Sequence, residues 1–184
     1  MPNKILITYA TRAGSTLGIA EAVGKTLVES DIQADILPVK EVASFEGYDA
    51  IILGTAVRMG RLMPEMIQFA KKNKILLSRY PVAAFAVCLG MKEDTPERHP
   101  DAEKYLDPLR NEIPLVSEGF FAGSITYASL DIFMRFLIKK MVKAPEGDFR
   151  DWRKIEAWTH KFLERLEAET TKETSIEKSA VFGA

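Results

Sequence analysis

Apolar and polar positions along the chain alternate between two periods. Ile5-Leu6-Ile7-Thr8-Tyr9 is an unbroken run of apolar and β-branched residues, as a strand buried on both faces requires. From Leu17 the period changes. Leu17, Ala20, Val23, Gly24, Leu27 and Val28 recur on one helical face, with Glu21 and Lys25 off it. Ile32 to Leu37 alternates, which predicts a strand near a sheet edge that ends at Pro38. Val39 to Gly47 is a connector with Phe45 turned into the core. Tyr48 to Gly54 is a second continuous apolar strand, followed by a loop over Thr55 to Arg61.

Pro64 suits the first turn of a helix carrying Met66, Ile67, Phe69, Ala70 and Leu76-Leu77, with a break near Asn73. Pro81 opens a fourth strand, Val82 to Cys88, which leaves through Leu89-Gly90-Met91. Lys92 to Asp101 is a charged loop, and Ala102 to Ile113 is helical around Pro108. Gly119 to Thr126 is the fifth strand, where Gly123 admits a close backbone approach. Leu130 to Val142 is a very apolar helix, and Ala144 to Phe149 a turn. Asp151 opens an amphipathic helix with Trp152, Ile155, Trp158, Phe162, Leu163 and Leu166 on one face. From Thr170 the period is lost, so residues 1–169 read as one domain and 170–184 as a frayed or disordered polar tail.

Strands that alternate with helices give, by right-handed crossovers, a doubly wound parallel α/β sheet. Ligands of such sheets bind beyond the carboxyl ends of the strands. Three loops leave at that edge: Thr11 to Thr16, Thr55 to Arg61, and Leu89 onward. In the first, Thr11, Arg12, Ala13, Gly14, Ser15 and Thr16 lead into a helix whose leading N–H groups lack backbone partners and whose dipole favours an anion. Ser15 and Thr16 can cap that helix or bond a phosphate oxygen. The loop reads as a phosphate cradle, with a plain strand–turn–helix as the alternative. There is no Gly-Lys-Ser/Thr ending and no G-x-G-x-x-G, which sets aside the nucleoside-triphosphate loop and the dinucleotide fingerprint.

The bulk numbers narrow the class. The 184 residues are 47% apolar and 28% charged, with 25 basic and 26 acidic side chains and a net charge of −1. This describes a globular domain with no electrostatic footprint for nucleic acid. One cysteine excludes an intrachain disulfide, and no run reaches the ~20 apolar residues of a membrane span. The first residues enter a strand without a charged-then-apolar leader, so a cytoplasmic location is expected. Arg58 and Arg61 beside the second loop could meet an anionic substrate or stabilise a reduced cofactor, or be solvated surface charges. Cys88 is expected to be buried and inert. His99 stands among Asp94, Glu97, Asp101 and Glu103 without metal-ligand spacing, and no metal is expected. Leu130 to Lys143 suits burial against the sheet or a homodimer contact. Its basic end also fits a peripheral position at the inner face of the cell membrane.

The strand I-L-I-T-Y-A followed by T-R-A-G-S-T resembles the flavodoxin family, whose phosphate loop reads hydroxyl-x-hydroxyl-Gly-x-Thr; the chain departs at Ala13. The resemblance covers residues 3 to 168. It implies a five-stranded sheet in the order 2-1-3-4-5 and flavin mononucleotide (FMN) as cofactor. The phosphate would lie on Thr11, Arg12, Gly14, Ser15 and Thr16. Thr55, Ala56, Val57, Arg58, Met59 and Gly60 would line one side of the flavin ring, and Cys88, Leu89, Gly90 and Met91 the other. The stretch from Gly119 to Glu167, with F-M-R-F-L-I-K-K-M and the Asp151-Trp152 helix start, is similar to the menaquinone-dependent protoporphyrinogen dehydrogenase branch. The resemblance then implies an oxidoreductase passing electrons from a small organic donor to a quinone. An electron carrier between redox proteins and a flavin-free binding module stay open. The two ring loops carry Met59 and Met91 but no aromatic side chain.

Overall fold

A computed structural model of the chain describes residues 2–92, 99–125 and 146–182. Five parallel strands form the sheet: β1 Lys4–Ala10, β2 Gln33–Pro38, β3 Ala50–Arg58, β5 Val82–Val87 and β6 Ser117–Phe121. Their spatial order is β2-β1-β3-β5-β6, which is the expected 2-1-3-4-5 counted over parallel strands alone. β4, Arg61–Leu62, pairs antiparallel with β3 and lies off this path.

The strands read as continuous apolar runs because both faces are covered. On one face, Ile5, Ile7, Ile52, Phe85 and Phe121 pack with α1 (Ser15–Glu29) and the C-terminal helix (Trp152–Phe182). On the other, Leu6, Ile51, Leu53, Ala84 and Ala86 pack with Phe45 and with side chains of α2 (Pro64–Lys72), α3 (Lys74–Leu77) and α5 (Asp107–Arg110). Burying each large aliphatic side chain contributes about 1.5–3 kcal/mol, which outweighs any local preference in a short strand. The break at Asn73 and the helix-opening Pro64 stand where the sequence places them.

Gly54 and Phe85 are register partners on β3 and β5. A Cβ on Gly54 would lie 2.3 Å from the Phe85 ring. The ring therefore covers the glycine and reaches Trp158, at 6.0 Å between centroids.

Several expectations change. Thr55 to Arg58 continue β3 and are not loop. The region around Pro108 is three short turns, α4 (His99–Glu103), a 3-10 turn Lys104–Leu106, and α5, in place of one helix. The fifth strand starts at Ser117 and stops at Phe121. After Ala122-Gly123 the chain forms β7 (Ser124–Ile125), which pairs antiparallel with β8 (Gly147–Asp148), part of the stretch read as a turn. Val28 is exposed and Ile19 takes its place in the core, because the buried stripe of α1 is rotated by about one residue. Trp152 is also exposed, unlike Ile155, Trp158, Phe162, Leu163 and Leu166. The C-terminal helix runs to Phe182, past the point where apolar periodicity stops. The expected helix over Leu130 to Val142 lies outside the described residues.

Candidate functional site

Parallel neighbours bring the carboxyl ends of β1, β3 and β5 to one edge, with Ala10 beside Thr55 and Ala56 beside Val87. The first loop leaves β1 and turns at Gly14, which takes φ 84° as the residue capping α1. Only glycine adopts that conformation without strain. Its N–H donates to the Thr11 hydroxyl at 3.3 Å, and Gly18 N–H donates to the Gly14 carbonyl at 3.2 Å. No side chain caps α1, and its first turn holds no acidic residue. The cradle is thus left free for an anion.

Thr16 gives the loop its chemical signature. It is fully buried, and its hydroxyl has no hydrogen-bond partner. A buried hydroxyl without a partner costs free energy that an incoming acceptor recovers. Ser15 is half-buried, and Ala13 and Gly14 are exposed. Arg12 is turned elsewhere: its guanidinium pairs with Glu65 in the first turn of α2.

The second loop is a tight hairpin. Arg58 and Arg61 are antiparallel partners, leaving Met59 and Gly60 at the tip with φ 50° and 74°. Positive φ at both central residues matches the right-handed twist of a two-residue hairpin. Met59 is 75% exposed. Thr55 is buried, Ala56 and Val57 are half-buried, and the Met63 N–H donates to the Ala56 carbonyl.

The third loop is a 3-10 turn over Leu89–Lys92. Leu89 and Gly90 face solvent, whereas Cys88 and Met91 turn inward and pack with Ala102 and Ala122. Burial pushes the Cys88 thiol up, against backbone N–H groups of Met91 and Gly90 that favour the thiolate. Cys88 is therefore the inert thiol expected of it. No cluster of metal-ligating side chains occurs among the described residues, and His160 is exposed.

Sequence reasoning missed a fourth contribution. The β7–β8 pairing carries residues 147–150 back to the edge, where Phe149 N–H donates to the Gly123 carbonyl. A Cβ on Gly123 would lie 2.6 Å from the Ser15 hydroxyl, the close approach that residue was expected to allow. Phe149 packs with the inward cluster of the third loop, and Lys92 lies 4.4 Å over its ring. An aromatic side chain thus reaches the third loop from a distant stretch of chain. The only advance signal for this approach was Gly123.

An uncapped helix start, the orphaned Thr16 hydroxyl and two flanking turns thus meet at the sheet edge where ligands of such α/β folds bind. Residues 6–151 match the flavodoxin domain family, and the chain belongs to it. The cofactor of that membership is FMN, and the buried acceptor-seeking Thr16 hydroxyl fits its phosphate. The chain is 26% identical over 182 residues to protoporphyrinogen IX dehydrogenase [quinone] of Escherichia coli K12, covering 92% of this chain and 99% of that one. It is also 26% identical over 173 residues to the protein of the same name from Leishmania major, covering 86% and 74%. Oxidised flavodoxin 1 from Bacillus cereus superposes with a TM-score of 0.56 at 15% identity, over 88% of this chain and 98% of that chain. Flavodoxin 2 from the same organism gives 0.54 at 24%, over 88% and 99%. These structures share the fold. No helix among the described residues is long and apolar enough to cross a membrane.

Proposed function

We propose that this protein is an FMN-dependent oxidoreductase that oxidises protoporphyrinogen IX and delivers the electrons to a quinone. The observation that carries the reading is the extent of the similarity. It runs beyond the flavodoxin domain match at residues 6–151 and spans nearly all of an E. coli relative named for that reaction.

In this reading Thr11, Gly14, Ser15 and Thr16 hold the phosphate through hydroxyls and the free N–H groups of α1. The hairpin residues Thr55 to Gly60 line one side of the flavin ring. Leu89 and Gly90 close the other, supported from beneath by Cys88 and Met91. When bound, the flavin supplies the two-electron redox chemistry. Arg58 and Arg61 hold anionic carboxylates of the organic donor at the hairpin. The exposed Met59 gives its apolar body a surface to lie against. Because quinones are lipid-soluble, the reaction is placed at the inner face of a membrane, with the chain bound peripherally. The segment Leu130 to Lys143 that would make that contact, or a homodimer contact, lies outside the described residues.

The test is anaerobic turnover of the FMN-loaded protein with protoporphyrinogen IX and a menaquinone analogue. Porphyrin fluorescence should rise with quinone consumption at a constant ratio. A protein that retains FMN and is reduced by redox proteins, yet leaves protoporphyrinogen untouched, would be an electron carrier. One that stays colourless with excess FMN would be a binding module.

A further inference from the structure

Two arginines lie near the start of α1. Arg12 is committed to Glu65. A second guanidinium, Arg150, arrives through the β7–β8 pairing and lies against the first turn of α1. Its Nη1 falls 2.2 Å from the position a Cβ would take on Gly18. A Cβ on a helix is tilted toward the N-terminus, so Nη1 sits over the turn made by Ser15 to Gly18. Gly18 is a glycine in a helix interior, costing about 0.5–1 kcal/mol relative to alanine. The space it leaves is occupied by this guanidinium.

Arg150 is held rigidly. Its Nε and Nη2 donate to the Asp148 carboxylate at 2.8 and 2.6 Å, and its guanidinium carbon lies 4.4 Å from the centre of the Trp152 ring. The side chain is only 18% exposed. Glu21, one turn along α1, is the other charge acting on it. Nη1 has no hydrogen-bond partner among the described residues. A fork oriented by one carboxylate, with a spare nitrogen on an anion-binding helix turn, is a recognition device for an oxygen anion.

We propose that Arg150 is a further ligand of the FMN phosphate, reaching it through Nη1 beside the first turn of α1. This rests on the reading of Thr11 to Thr16 as the phosphate loop. Asp148 acts as a positioning residue that fixes the fork. The C-terminal half of the chain thereby takes part in choosing the cofactor.

The experiment titrates the flavin-free protein with FMN and, separately, with riboflavin, which lacks the phosphate, following the quenching of flavin fluorescence. Arg150→Gln should weaken FMN binding about tenfold or more, the range of a hydrogen bond to a charged group, and leave riboflavin binding unchanged. Arg150→Lys keeps the charge and much of the packing and should recover part of the loss. Gly18→Ala drives a methyl group into Nη1 and should reproduce the Arg150→Gln selectivity. Equal weakening of both flavins would make Arg150 a structural strut and overturn the proposal, as would unchanged FMN affinity. If the unaltered protein itself binds riboflavin as tightly as FMN, the phosphate-loop reading fails and takes the proposal with it, a signature visible before any substitution.

Discussion

Thr16→Val should move two measured quantities in opposite directions. Valine matches the shape of threonine and replaces the hydroxyl by a methyl group. In the flavin-free protein that hydroxyl is fully buried and without a partner. Removing such a group relieves a desolvation cost of about 1–3 kcal/mol. For a chain of this length, this raises the melting temperature by about 2–12 °C. In the proposed FMN complex the same hydroxyl donates to the phosphate, an interaction worth about 1.5–3 kcal/mol. Its loss should weaken FMN binding roughly ten- to hundredfold. Calorimetric melts of the flavin-free protein and fluorescence titration with FMN measure the two. Thr8 supplies the control. It is also fully buried with an orphaned hydroxyl, but lies within β1. Thr8→Val should raise stability and leave FMN affinity alone. A Thr16→Val protein that melts below the unaltered chain, or binds FMN equally well, would refute the reasoning.

Other perturbations follow from the same geometry. Gly54→Ala should cost about 1–3 kcal/mol by overpacking against Phe85, and Phe85→Leu in the same chain should recover much of that in urea unfolding. The Tyr48 hydroxyl donates to Asp35 at 2.7 Å, and burial first, then Asp35, push its pKa up from 10.0 to about 12. A group whose folded pKa is raised contributes stability that is complete below its unfolded pKa. The stability gap between the protein and Tyr48→Phe should thus hold up to about pH 10 and vanish as pH approaches 12. Cys88, buried and with its thiol pushed up, should react with a disulfide reagent near neutral pH only after unfolding.

What the sequence showed and what it hid divide along physical lines. The parallel order and the strand–turn–helix at Thr11 to Thr16 were legible because a switch from continuous apolar residues to a period of 3.6 marks such a turn without reference to the rest of the chain. The end of β3 was not. Its hairpin turns on Met59 at φ 50°, and no Asn-Gly or Asp-Gly announces it. Thr55 is still held in the parallel sheet by β1 and β5, and Ala56 by β5 alone, whereas Val57 and Arg58 are sustained by pairing with β4, which local periodicity does not announce. The break at Ala122-Gly123 was hidden for a different reason. β7 finds its partner beyond residue 145, a pairing that local periodicity does not encode. Arg150 was invisible for the same cause, since nothing near it in sequence marks Gly18 as its neighbour. Trp152 falls on the periodic stripe, but in the first turn of its helix, where its ring meets Arg150 and solvent rather than the core.

The two faces of the sheet close at different moments of synthesis. Among the described residues, one apolar layer has its buried members between Leu6 and Ile113, with Leu115 and Phe120 packed against it, so these parts are present once the chain has left the ribosome as far as Phe120. The other needs Ile155, Trp158, Phe162, Leu163 and Leu166 to cover strands made at the very beginning. At roughly 5–20 residues per second, the nascent chain therefore spends several seconds with Ile5, Ile7 and Ile52 uncovered by their last helix. During that interval the half-covered sheet is a natural client for a chaperone that shields exposed apolar strands.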